Sequence, residues 1–134
     1  MVARITPEQL AASGSEHAHQ CALFCWAALE TSRFPELALM FAIPNGGERN
    51  KIVAARLKAE GVKSSVPDIF LPVARGRWHG LFIELKKIDG RACEGQLEMI
   101  DKLKAQGFGA CVCVGWEVAR DTLIAYLKYS QNNA

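Results

Sequence analysis

The chain has 134 residues, half of them hydrophobic, and a formal net charge of only +2. That fits one compact domain with a single core and excludes a protein acting through bulk positive charge. Five cysteines (Cys21, Cys25, Cys93, Cys111 and Cys113) form an odd set without framework spacing, the first dozen residues lack an apolar signal-like core, and no apolar run reaches membrane-spanning length. These features predict a reducing, cytoplasmic setting with free thiols.

The charge is unevenly spread. From Arg49 to Arg91 the chain carries Arg49, Lys51, Arg56, Lys58, Lys63, Arg75, Arg77, Lys86, Lys87 and Arg91 against Glu60, Asp68, Glu84 and Asp89. A basic middle permits a polyanionic partner, and a merely solvated charged surface is the competing reading.

In chain order, "TPEQLAAS" supplies a Thr cap and a Pro at the first helical position, so residues 1–12 hold an arm or a short helix beginning near Thr6. "SGSEHAHQCALFCWAALETS" predicts the first long helix, with Ala18, Cys21, Ala22, Cys25 and Leu29 as its buried stripe. "ELALMFAIP" suits a buried strand, and Asn45-Gly46-Gly47 breaks the chain after it. "NKIVAARLKAEG" reads as a helix ended by Gly61, with Ile52, Ala55 and Leu57 among its apolar residues.

Two strands follow, about Asp68–Val73 and Leu81–Lys86, joined across "ARGRWHG". "ACEGQLEMIDKLKAQG" predicts a helix with Leu97, Ile100 and Leu103 inward. "GACVCVGW" alternates as a strand, "EVARDTLIAYLKYS" closes as an amphipathic helix, and residues 130–134 form a frayed tail. The order α-β-α-β-β-α-β-α predicts a single α/β domain over residues 1–134, with a mixed sheet flanked by helices.

Side chains two apart on a strand share a face, so Glu84 and Lys86 project together, away from Ile83 and Leu85. A turn centred near Gly76–Arg77 brings Asp68 opposite residues 84 to 86. Two carboxylates and one ammonium then converge, and the acids repel unless a cation joins them. Carboxylate oxygens suit Mg²⁺ and Mn²⁺, and a lysine beside them can orient or help deprotonate a water, parts that suit metal-assisted phosphodiester hydrolysis. A structural Asp–Lys–Glu ion pair explains the spacing equally well.

"VPD…IELKK" resembles the PD-(D/E)xK nuclease signature. The wider run "IPNGG…LKAEGVKSSVPDIFLPV…GLFIELKK…EGQLEMIDKLKAQGFGACVCVGWEVARDTLIAYL" resembles the VRR-NUC family, the virus-type replication–repair nuclease domain, from about Ser15 to Leu127. One departure is Ser65, where a glycine is usual two residues before Pro67-Asp68.

The resemblance implies a restriction-endonuclease-like core of the stand-alone kind found in bacteriophages and bacteria, in a bacterial or phage-infected cell. It implies that Asp68, Glu84 and the Leu85 carbonyl bind Mg²⁺ or Mn²⁺, with no organic cofactor. It assigns Lys86 to the attacking water, Glu16 to the metal, and Gln96 to the site through phosphate or Lys86. It also implies a homodimer acting on branched DNA, as junction resolvases do.

Several of these residues have plainer readings. Ser13-x-x-Glu16 reads as a capping box, and Gln96 as a solvated helix residue. Asn45, Gly46 and Gly47 either make a turn or let a phosphate approach the backbone, with Arg49 and Lys51 following as phosphate contacts. Arg75, Arg77, Trp78 and His79 crowd the hairpin tip, where a DNA-tracking loop and a solvated turn compete; Lys87 adds a cation beside the catalytic strand. Zinc at His17, Cys21 and Cys25 lacks a second ligand pair, and Cys111 and Cys113 read as small buried hydrophobes.

Overall fold

The computed structural model of the chain describes residues 4–44 and 50–129. A short helix α1 (Pro7–Leu10) is capped by Thr6, whose side chain accepts the Gln9 N–H, and a 3-10 turn (Ala11–Ser13) leads to α2 (Glu16–Leu29). A second 3-10 turn (Pro35–Leu39) precedes the two-residue β1 (Phe41–Ala42). Helix α3 (Lys51–Ala59) follows, then β2 (Ile69–Leu71), β3 (Leu81–Lys86), α4 (Glu94–Ala105), β4 (Gly109–Val114) and α5 (Trp116–Lys128).

The strands form one mixed sheet in the order β1-β2-β3-β4. The first two pairings are antiparallel and β3–β4 is parallel. This is the α/β architecture that the element order predicts.

Alternation along β3 decides the layers. Leu81, Ile83 and Leu85 face a core built with Ile69 and Leu71 of β2, Leu23 and Trp26 of α2, and Ala119 and Leu123 of α5. Each fully buried Leu or Ile of this set contributes about 1.5–3 kcal/mol of hydrophobic stabilisation. Phe82 stacks on Phe70 at 4.2 Å between ring centroids, with Phe41 and Phe108 edge-on to Phe70.

The β2–β3 connection tightens at Arg75 and Trp78, whose main chains exchange both hydrogen bonds. Gly76 takes φ +54° at the first central position, a conformation that an L side chain resists. The turn therefore lies where the sequence centres it.

Three local expectations are corrected. The "ELALMFAIP" stretch begins as a 3-10 turn that starts at Pro35, and the two-residue strand that follows exposes both residues, Phe41 by 48%. The buried stripe of α2 is Ala18, His19, Ala22, Leu23, Trp26 and Ala27, so Cys21 and Cys25 are half-buried and Leu29 is exposed. In α4 Ile100 is buried, but Leu97 lies on the solvent side.

Helix α3 has its expected place, with Asn50 as cap accepting the Val53 N–H at 2.8 Å, yet it buries none of its residues. Among the described residues no helix is long and apolar enough to cross a membrane.

Candidate active site

Three elements bring the acids together. Glu84 lies on β3 between core-facing Ile83 and Leu85, so it projects to the other side of the sheet. Asp68 directly precedes β2, after the fully buried Pro67. The register Ile69↔Ile83, continued by one step, places Asp68 across from Glu84.

The Leu85 N–H donates to Asp68 Oδ2 at 3.0 Å and fixes that carboxylate. Glu16 is the first residue of α2, capped by Ser15, whose hydroxyl accepts the Ala18 N–H at 3.0 Å. Carboxylate oxygens of Glu16, Asp68 and Glu84 all lie within 4.8 Å of one another.

Glu84 is the most unusual of the three, being only 1% exposed. Its Oε1 accepts the Gln96 side-chain amide at 2.9 Å and pairs with Lys86 Nζ at 3.3 Å. Its Oε2 is buried with no hydrogen-bond partner, alone in this among the buried side-chain oxygens and nitrogens of the described residues.

Burial, and then the charge of Asp68, push the Glu84 carboxyl up to about 7. Asp68 is also raised, first by burial and then by Glu16, against the lowering effects of the Leu85 N–H and Lys86. A single ammonium among three carboxylates leaves the patch anionic. An orphaned, desolvated oxygen beside two further hard oxygen donors is the donor set a divalent cation such as Mg²⁺ or Mn²⁺ takes.

The other predicted residues fall in different places. Gln96, in the first turn of α4, accepts the Cys93 N–H through Oε1 at 2.9 Å and spends its amide on Glu84 rather than on Lys86. Leu85 offers its N–H to Asp68, while its side chain is wholly buried in the core.

Lys51, Arg77 and Lys87 are exposed, and the Arg77 guanidinium stacks over Trp78 at 4.2 Å. Arg75 is tied down: it pairs with Glu36 and donates to the carbonyls of Leu127 and Ala74. Asn45, Gly46, Gly47 and Arg49 lie outside the described residues.

Two alternatives lose their footing. The Ser13–Glu16 capping box does not form, because Ser15 is the cap and Glu16 is already the first helical residue. His17 and Cys21 are neighbours at 3.5 Å, but the three carboxylates are the one group of three or more metal-binding side chains among the described residues.

His19 is a structural residue that the sequence expectations do not include. It is buried, and its Nδ1 accepts the Trp116 N–H at 3.1 Å, pinning the start of α5 to α2 and so to the helix that carries Glu16. Its helical spacing from Ala22, Leu23 and Trp26 was the available signal.

A mixed sheet that sets Asp68 on one hairpin arm and Glu84-x-Lys86 on the next, with Gln96 behind them, defines a nuclease core of the PD-(D/E)xK type. The model of the VRR-NUC domain family matches residues 8–116, and the chain belongs to that family. A solved structure described as a VRR_NUC domain protein is similar at 29% sequence identity, covering 87% of this chain and 90% of its own, with a TM-score of 0.74. No curated protein matches the chain.

Proposed function

We propose that this nuclease is a Mg²⁺- or Mn²⁺-dependent endodeoxyribonuclease that hydrolyses phosphodiester bonds in branched DNA, foremost four-way junctions, as a homodimer. The observation that carries the cation dependence is the partnerless, buried Oε2 of Glu84 within reach of Asp68 and Glu16. Glu16, Asp68 and Glu84, with the Leu85 carbonyl as a further donor, would hold a divalent ion, which would supply Lewis acidity and offset the charge of the crowded acids.

The chain's own groups do the rest. The Leu85 N–H locks the Asp68 rotamer, and Gln96, itself held by the Cys93 N–H, locks that of Glu84. Lys86 shares the face of Glu84 and orients the attacking water while opposing negative charge that grows on the phosphate oxygens. Water adds to phosphorus, the bond to the leaving oxygen breaks, and a proton returns to that oxygen.

Support for the junction substrate comes from the likeness of stand-alone family members to junction resolvases. Two equivalent sites related by a two-fold axis also match the symmetry of a four-way junction. Lys51, Arg77 and Lys87, all exposed, are described cations that would meet its phosphates, and Asn45, Gly46, Gly47 and Arg49, outside the described residues, are further proposed contacts.

Labelled four-way, flapped and linear duplex DNA, each incubated with Mg²⁺, Mn²⁺ or EDTA, tests this. Paired, symmetric, metal-dependent nicks in the four-way substrate are the expected outcome. Equal cutting of flap or plain duplex removes the junction preference, and binding without cutting in either metal overturns the catalytic reading.

A further inference from the structure

The connection from β1 to β2 is an excursion whose two ends meet beside the acidic cluster. The Ile43 N–H donates to the Asp68 carbonyl at 2.7 Å, so the chain just after β1 and the chain just before β2 lie side by side, next to a carboxylate of the cluster. Of this connection, residues 44 and 50 to 67 are described, and residues 50 to 63 carry Lys51, Arg56, Lys58 and Lys63 against the single acid Glu60.

All four cations are exposed, and none is ion-paired to a described residue. Helix α3, at the heart of the segment, exposes Ile52 by 74% and buries nothing. A nine-residue helix without a packed face is marginal by itself, because most helical stability in proteins comes from packing.

At 100° per residue, Lys51 and Lys58 are two turns apart on one side of α3, and Ile52, Val53 and Leu57 occupy the other. The two lysines are then about 10 Å apart along the helix, close to the axial rise of three nucleotides of one strand.

We propose that residues 50–63 form a phosphate clamp: α3, joined to Asp68 by the short run after Lys63, lays Lys51 and Lys58, with Lys63 beyond its C-terminal end, along the DNA backbone next to the bond being cut. The segment therefore sets the register of the strand over the carboxylates and supplies affinity independent of base sequence. The inference rests on the nuclease reading above and names the element that holds its substrate.

The test is binding of a labelled four-way junction by fluorescence anisotropy in EDTA, from 0.05 to 0.3 M salt, for the wild type and a Lys51→Ala/Lys58→Ala variant. Removing two phosphate contacts lowers the slope of log K against log salt by about 1.8 and weakens binding about 30-fold at 0.15 M salt. The thermal midpoint and Mn²⁺ affinity stay at wild-type values, since neither residue touches the core or the carboxylates.

An unchanged slope overturns the clamp while leaving the nuclease reading intact. A wild type that neither binds nor cuts any DNA overturns both. In a separate Ile52→Glu variant, a fall in oligomeric mass by light scattering with an unaltered salt slope shows that α3 docks against a second copy, which also overturns the clamp.

Discussion

Replacing Glu84 by Gln removes a charge from the most desolvated position of the site while keeping its shape, and the consequence for stability has a definite sign. The carboxyl rises from an ordinary 4.5 to about 7 in the folded protein. Between those values the native state holds a proton that the unfolded chain has already released. Without a cation, stability therefore falls as pH climbs from 4.5 through about 7 and levels off above it.

At about 1.4 kcal/mol per unit, the penalty above neutrality is about 3 kcal/mol. An unfolding entropy of about 2 cal/mol/K per residue over this length turns that into about 10 °C in the thermal midpoint. In Glu84→Gln the penalty is absent, and the new side chain still offers an oxygen to Gln96.

Melting curves in EDTA from pH 4.5 to 8.5 are expected to converge at the acid end and to separate by about 10 °C above neutrality, with the variant higher. Asp68, raised in the same sense, adds a slope to both proteins. Millimolar Mn²⁺ at pH 8 restores the wild type far more than the variant. Parallel curves across the range, or equal stabilisation of both proteins by the cation, refute the reasoning.

Lys86→Ala lowers the cleavage rate by about 10²–10³-fold while leaving DNA affinity in EDTA close to wild type; a folded variant that no longer binds argues against a role confined to the chemistry. Gln96→Ala frees the Glu84 carboxylate from its amide donor, costing about 10- to 100-fold in Mn²⁺ affinity by calorimetry, and an unmoved affinity removes Gln96 as a positioning residue. Arg75→Ala breaks the pair with Glu36 and the bond to the Leu127 carbonyl, so it costs about 2 kcal/mol in denaturant unfolding and leaves the salt dependence of DNA binding alone. The reverse pattern assigns Arg75 to the DNA surface.

What could be read ahead of the structure was what local rules fix. Alternation from Leu81 to Lys86 separates core from site, and the glycine turn at Gly76 sets the pairing that carries Asp68 to Glu84. The burial of Glu84 was not legible, because it depends on the neighbouring strands and on the angle at which α4 presents Gln96, neither of which is encoded within β3.

The stripe of α2 was misplaced for a different reason. With apolar residues on most sides of "AHQCALFCWAAL", contrast around the helix is weak, and packing against β3 and α5 chose Leu23 and Trp26 over Cys25 and Leu29. Pro35 likewise favoured a 3-10 turn where the apolar run suggested a strand. Spacing alone reads Glu16 as a cap, the family resemblance alone makes it a metal ligand, and the observed cap at Ser15 leaves its carboxylate beside Asp68.

The two-faced character of β3 makes the length of the Arg75–Trp78 turn a matter of parity. One extra residue there, taken up by sliding β3 past β2, would turn Glu84 and Lys86 into the hydrocarbon layer and put Ile83 and Leu85 among the acids of the site. Two extra residues would restore the phase and merely shift the acids along the strand. Drift in this loop should therefore be tolerated in even steps, or in bulges that leave β3 unmoved, so the chemistry constrains a stretch of chain that takes no part in it.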